Sequence, residues 1–285
     1  MRIYAGNCGS FNGDGRRDVL ARDPARGDLV VFPHSGQLAG TDTFGAPVLI
    51  RTGMDMYHRW IGAGDFTGDG RADVLVNTGD DQVRVYLNQG GLDGLHTLAE
   101  EGIHIGGKLS PDISYDTIAL ADITGDGRTD CFGRLEGTNE VHTMINQGLD
   151  GLNTFAPPKH LATIGDGEVP FGIADVTGDG HPDLLVEASD DELVIYHLFA
   201  EGADADGNPV GPPRRHVLSR GWAGMLTITL TDLTGDGHPD LLGLAPDGTL
   251  FAFAHRGGFD PARPLDTYAA PVVVGTGFDE YNMIG

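Results

Sequence analysis

Short apolar runs recur along the chain, each bounded by Gly, Asp or Pro, and no segment carries a sustained helical stripe. Asp73-Val74-Leu75-Val76-Asn77 and Asp183-Leu184-Leu185-Val186-Glu187 read as short, largely buried strands. Turn residues follow, as in Thr78-Gly79-Asp80-Asp81 and Ala245-Pro246-Asp247-Gly248. A second strand then alternates, as in Val83-Arg84-Val85-Tyr86-Leu87. Glycine-rich loops come next, among them Asn88-Gln89-Gly90-Gly91 and Asn146-Gln147-Gly148. A third strand is expected near 46–50, 160–164 and 270–274, and a fourth just before the next unit, as at 117–121.

The unit is marked by a nine-residue segment that occurs five times, starting at Ser10, Asp65, Asp122, Asp175 and Asp232. The starts are 55, 57, 53 and 57 residues apart, so the array covers nearly the whole chain. Four strands per unit of this length, in tandem, is the arithmetic of a β-propeller blade. The expectation is a single all-β domain over 1–285 with five blades, near 1–54, 55–111, 112–165, 166–221 and 222–285. The first inner strand would be 2–8. The C-terminal Gly277-Phe278-Asp279-Glu280-Tyr281 resembles Gly53-Met54-Asp55-Met56-Tyr57, so 277–285 is expected to close the ring against the N-terminal blade.

The nine-residue segment concentrates oxygen donors. Its full form is Asp65-Phe66-Thr67-Gly68-Asp69-Gly70-Arg71-Ala72-Asp73. Candidate ligands in the five copies are Ser10, Asn12, Asp14, Arg16 and Asp18; Asp65, Thr67, Asp69, Arg71 and Asp73; Asp122, Thr124, Asp126, Arg128 and Asp130; Asp175, Thr177, Asp179, His181 and Asp183; and Asp232, Thr234, Asp236, His238 and Asp240. The seventh residue of each set would contribute its backbone carbonyl. Hard oxygens without a Cys or His side-chain ligand suit Ca²⁺. An EF-hand is ruled out, because position twelve holds Val76, Gly133, Val186 or Gly243 and never Glu, and the flanks read as strands. The bland alternative is a set of Asp-Gly turns held by side-chain-to-backbone bonds. Crowded carboxylates repeated five times favour a cation, since they repel one another without one. Ser10 weakens the first copy. About five structural Ca²⁺ ions are expected.

The pattern D-x-[TN]-G-D-G-x-x-D followed by an apolar strand resembles the FG-GAP/VCBS repeat of integrin α-subunit heads and many bacterial β-propellers. The resemblance implies a propeller with Ca²⁺ held at this loop, between the first and second strands of a blade. It implies ligands at Asp65, Thr67, Asp69 and Asp73 and their equivalents. The family usually closes with more than five blades, and its roles range from adhesion and carbohydrate binding to accessory domains of enzymes, so it specifies fold more closely than function.

Charge narrows the partners. The chain carries 42 acidic against 18 basic residues, a net charge of −24, which argues against nucleic acid and anionic membranes. Fourteen of the acidic residues are proposed calcium ligands. No apolar stretch is long enough to span a bilayer. No signal-peptide h-region precedes the repeats, yet the calcium concentration such loops need favours an extracellular or cell-surface setting over the cytoplasm. Cys8 and Cys131 are expected to be free, buried thiols.

Familiar catalytic motifs are absent. The segments that precede the inner strands place aromatic and polar residues around one channel mouth: Tyr57, His58, Arg59, Trp60, Tyr115, Asp116, Phe171, Trp222 and Tyr281. These could stack on and orient a glycan, small-molecule or protein ligand. Equally, the aromatics could be wedges between blades, repeated because the fold repeats. His58 breaks the register, so an enzyme built here would use His58, Tyr57, Tyr115 and Asp116 for acid/base work of lyase, isomerase or cyclase type. The polar stretch 201–216 reads as a solvated extension of blade four.

Overall fold

The computed structural model describes residues 8–54, 60–78, 82–106, 115–189, 191–205 and 209–282. It is a five-bladed, all-β propeller whose only helical segments, among the described residues, are short 3-10 turns. Blade one contains β1 (Val19–Asp23), β2 (Asp28–Phe32) and β3 (Val48–Arg51). Blade two contains β4 (Trp60–Gly64), β5 (Asp73–Asn77), β6 (Val83–Tyr86) and β7 (Ile103–Gly106). Blade three runs β8 (Tyr115–Ala121), β9 (Asp130–Leu135), β10 (Glu140–Met144) and β11 (Lys159–Thr163). Blade four runs β12 (Val169–Ala174), β13 (Asp183–Glu187), β14 (Glu192–His197) and β15 (Arg214–Arg220). Blade five runs β16 (Thr227–Thr231), β17 (Asp240–Leu244), β18 (Leu250–Phe253) and β19 (Val272–Gly275). Each sheet is an antiparallel meander in chain order.

The strands form where the apolar runs were read, and their burial explains why those runs are nearly continuous. β13 and β17 are buried along their whole length, because each blade is covered on both faces by its neighbours. Five apolar clusters fill the five blade interfaces. Leu20, Leu29 and Val31 of blade one meet Val74, Val76 and Tyr86 of blade two. The fifth cluster joins Val19, Ala21, Val30 and Phe32 of blade one to Leu242, Leu244, Leu250 and Val274 of blade five, so the ring is closed by packing.

Residues 278–282 of the C-terminal segment pack against blade one at that closure. Phe278 lies 4.7 Å from Phe32 between ring centroids, and Tyr281 meets the same ring edge-on at 5.4 Å. Asn282 exchanges two backbone hydrogen bonds with Arg22 (3.0 and 2.8 Å), the place an inner strand takes in blade two, where Trp60 pairs with Asn77. At the other end of β1 a bridge joins Gly9 to Asp18. Residues 2–7 of the expected first strand lie outside the described residues. The stretch 201–216 is not wholly an extension: 214–216 begin β15, because the outer strand must cover the apolar face of β14.

Candidate metal centres and the channel

In blades two to five the nine-residue segment crosses from the inner strand to the second strand, and in blade one it leads into β1. Its fourth and sixth residues are glycines at positive φ, +75° and +81° in the first copy and +75° and +86° in the last. A side chain there would be strained, which is why both positions are Gly in every copy. The tight backbone turns a fan of N–H groups onto the first carboxylate. Asp65 accepts from Gly68 N (2.6 Å) and Gly70 N (2.7 Å), and Asp122, Asp175 and Asp232 repeat the pattern. In the first copy the Ser10 hydroxyl accepts from Gly15 N at 3.0 Å, a neutral stand-in for one carboxylate oxygen. The fifth residue accepts the N–H of the seventh, and Asp69 and Asp126 also pair with Arg71 and Arg128 at 2.5 and 2.6 Å.

The ninth residue does different work. Asp18, Asp73, Asp130, Asp183 and Asp240 are all at most 1% exposed. In four of them one oxygen accepts the N–H of the loop's second residue and the other the N–H of the residue two past the blade's third strand. For Asp73 these are Phe66 N (3.0 Å) and Asn88 N (2.8 Å). Burial pushes Asp73 and Asp183 up to about 7, and Asp18 and Asp130 to about 6; Asp240 is also raised. These aspartates pin the loop to the sheet.

A second pin joins neighbouring blades. Asn88 Nδ2 donates to the carbonyls of Phe11 and Ala72, Asn146 Nδ2 to those of Phe66 and Thr129, and the His255 imidazole lies 3.1 Å from the carbonyl of Val176. Each carbonyl from the preceding blade belongs to the second residue of its loop. The recurrence of Asn-Gln-Gly at 88 and 146 was the sequence signal for this pin.

The donor set was tested against a calcium ion. It is all oxygen, as Ca²⁺ prefers. In the fourth loop Thr177 Oγ1 and Asp183 Oδ1 are buried without a hydrogen-bond partner, and in the fifth Thr234 Oγ1 is likewise orphaned. Buried polar atoms are rarely left unpaired, and these three stand at ligand positions three and nine. Among the described residues no three His, Cys, Asp or Glu side chains already converge on one point. The chemistry therefore fits calcium, and the carboxylates would have to close on the ion, exchanging some bonds within the loop for coordination.

Loop carboxylates also reach the centre of the ring. Asp122, Asp175 and Asp232 line a cavity of about 270 Å³ with Cys8, Arg17 and Thr231, where the inner strands of blades four and five meet blade one. Cys8 and Cys131 are free and buried, and burial pushes Cys8 up to about 12.

The expected aromatic mouth is distributed differently. Tyr57, His58 and Arg59 lie outside the described residues, as does the side chain of Trp60. Phe171 and Trp222, 3% and 1% exposed, belong to the core between blades four and five and present almost no face to a ligand. Tyr281 packs on Phe32 at the ring closure. Tyr115 is half-buried beside the core between blades two and three, with its hydroxyl buried and unpartnered. Asp116 is clamped by Arg134 through Nε (2.9 Å) and Nη2 (2.9 Å). Phe171 and Trp222 are packed between blades four and five, and Tyr281 at the ring closure.

A charged cluster that sequence reasoning missed lies beside them. Arg134 donates to the carbonyl of Glu168 at 2.5 Å. The Glu168 carboxylate, nearly buried, accepts from Tyr196 Oη (2.6 Å), Gly165 N (2.8 Å) and Arg215 Nε (3.0 Å). Burial, followed by the bond to Glu168, pushes Tyr196 up to about 12. No motif links these residues; only the sheet register brings them together.

Comparison with known proteins agrees with this architecture. The chain is 26% identical over 151 residues to protein linkin of Caenorhabditis elegans, covering 50% of this chain and 24% of that protein. It is 31% identical over 118 residues to nocardicin C-9' epimerase of Nocardia uniformis subsp. tsuyamanensis, covering 39% of this chain and 34% of that protein. In both cases the matched region is well under half of the relative. A solved Agrocybe aegerita lectin that recognises non-reducing terminal N-acetylglucosamine aligns over 98% of this chain and 85% of its own, at 17% identity and a TM-score of 0.46. FG-GAP-like repeats match residues 11–76, 65–133 and 122–186, a continuous span that takes in three of the five loops whole and the start of a fourth repeat's second strand, so the chain belongs to the FG-GAP-like repeat family.

Proposed function

We propose that the protein is a calcium-stabilised propeller that presents one end of its ring to a ligand, a glycan or another protein, outside the cell. The observation that carries the calcium reading is the set of orphaned oxygens, Thr177 Oγ1, Asp183 Oδ1 and Thr234 Oγ1, at ligand positions of two loops. Five buried aspartates, for which no ion pair is found among the described residues, support it. The ions would be held by Asp65, Thr67, Asp69 and Asp73 and their equivalents, and would supply charge neutralisation and rigidity. Extracellular modules bind Ca²⁺ at roughly 10⁻⁴–10⁻³ M, which is the reason for placing the protein outside the cell.

The ligand end would be the mouth opposite the loops, on the side of Tyr115. Binding to immobilised glycans and to candidate cell-surface proteins, with calcium and with chelator, tests the reading. Saturable binding that chelator weakens supports it; binding indifferent to chelator, or none, refutes it. A second reading, acid/base chemistry at the same mouth, is favoured by the unpartnered Tyr115 hydroxyl, and one relative is named an epimerase. It requires His58→Ala to abolish turnover while leaving the melting temperature in place.

A further inference from the structure

At four of the five blade interfaces the outer strand of one blade lies against a 3-10 turn of the next, and the strand register lets the inter-blade grooves be compared position by position. Between blades one and two an arginine of the chain itself covers the aromatic floor of the groove, beside a cavity of about 720 Å³ lined by Arg51, Leu95, Leu98 and Glu100. The Arg51 guanidinium carbon sits 3.9 Å from the centroid of the Tyr86 ring. Its two terminal nitrogens donate to the carbonyls of Ala99 and Glu100, both at 2.9 Å. Tyr86 is 8% exposed beneath it.

Between blades four and five the same frame is present without the arginine. Leu193 pairs with Ser219 where Leu29 pairs with Arg51, and Leu241 pairs with Phe253 where Val74 pairs with Tyr86. Ser219 thus stands in the place of Arg51, and Phe253 in the place of Tyr86. Ala269 and Ala270 follow Tyr268 as Ala99 and Glu100 follow Leu98, and no hydrogen bond to their carbonyls is found among the described residues. The Phe253 ring is left uncovered in a cavity of about 350 Å³ lined by Ser219, Trp222, Phe253, Leu265 and Tyr268. Trp222 packs beneath Phe253, with centroids 4.6 Å apart, and holds the ring in place. Phe253 is half-buried, more open than Tyr86 under its arginine. Arg220 at the rim is turned to Glu192, 2.7 Å away.

We propose that this groove is a receptor for an arginine side chain of a basic partner protein, seated over Phe253 as Arg51 is seated over Tyr86. A guanidinium suits the site on three counts: an aromatic face for cation–π contact, carbonyls placed as those that hold Arg51, and a stem channel walled by Leu265 and Tyr268. The net charge of −24 draws basic partners to the surface. The proposal goes beyond the calcium and channel-mouth readings and is independent of both.

The test is a titration of the purified, calcium-replete protein with Nα-acetyl-arginine-N-methylamide, followed by NMR or calorimetry. Saturable binding is expected, with the neutral citrulline analogue at least tenfold weaker. Ser219→Arg should fill the groove with the protein's own guanidinium, raise the melting temperature and weaken probe binding at least tenfold. Phe253→Leu, which keeps an apolar wall but removes the ring face, should weaken binding severalfold and serves if Ser219→Arg does not fold. No saturable binding, equal binding of the citrulline analogue, or undiminished binding by both variants would overturn the proposal.

Discussion

Replacing Asn146 by Leu isolates the pin that ties blade three to blade two. Asn146 is fully buried, donates to the carbonyls of Phe66 and Thr129, both at 3.1 Å, and accepts from Gly148 N at 2.9 Å. Leucine is close in volume, and blade four already carries Leu198 at the equivalent place, so the change introduces little steric conflict. What is lost is hydrogen bonding. A typical buried bond nets about 1 kcal/mol, and a buried group left unpaired costs about 1–3 kcal/mol. The Gly148 N–H is near solvent and recovers a water, so the two carbonyls decide the sum. The loss is therefore expected to be about 2–4 kcal/mol, a large share of the roughly 5–15 kcal/mol that holds a domain together. Urea unfolding followed by far-UV circular dichroism reads it as a lower midpoint with unchanged slope. A loss below about 0.5 kcal/mol would refute the assignment of a structural role to this bond.

Two further outcomes follow from the same geometry. In chelator, stability should rise by roughly 1–2 kcal/mol as pH falls from 8 to 6.5, because Asp18, Asp73, Asp130 and Asp183 have folded-state pKa values of about 6–7, above their unfolded values, and so bind protons more tightly when folded. His34, His216 and His255, lowered by burial, begin to oppose this as the pH approaches their unfolded value near 6.5, so stability that stays flat or falls between pH 8 and 7 contradicts the burial of these carboxyls. Phe278→Ala should cost about 3–5 kcal/mol and promote self-association by loosening the closure on Phe32; an unchanged melting temperature and a monomeric elution profile would show that the ring does not depend on it.

Much of the architecture could be read from the chain because the loop is nearly invariant: glycines at positions four and six admit only a tight positive-φ turn, and the aspartate at nine always precedes a buried strand. What repeats in sequence was therefore legible. What depends on register was not. Asp73 and its equivalents look like further ligands in the sequence, yet their oxygens chiefly accept backbone N–H bonds from residues seven before and fifteen after, a partnership only the folded sheet reveals. The aromatics of the expected mouth are similar residues at similar places, but Phe171 on β12 and Trp222 in the turn before β16 are both packed into the core between blades four and five. Glu168 just before β12, Tyr196 on β14 and Arg215 on β15 are far apart in sequence and left no local pattern to find.

The calcium assignment is the claim on which the functional reading rests. Its most direct test is a thermal melt of chelator-stripped protein titrated with CaCl₂. The account predicts a melting temperature that climbs with calcium, reverses on chelation and reflects about 2.7 kcal/mol per site once the ion is a hundredfold above its dissociation constant. A melting temperature that does not change between excess chelator and about 10⁻² M calcium, above the roughly 10⁻⁴–10⁻³ M range of extracellular modules, would contradict it.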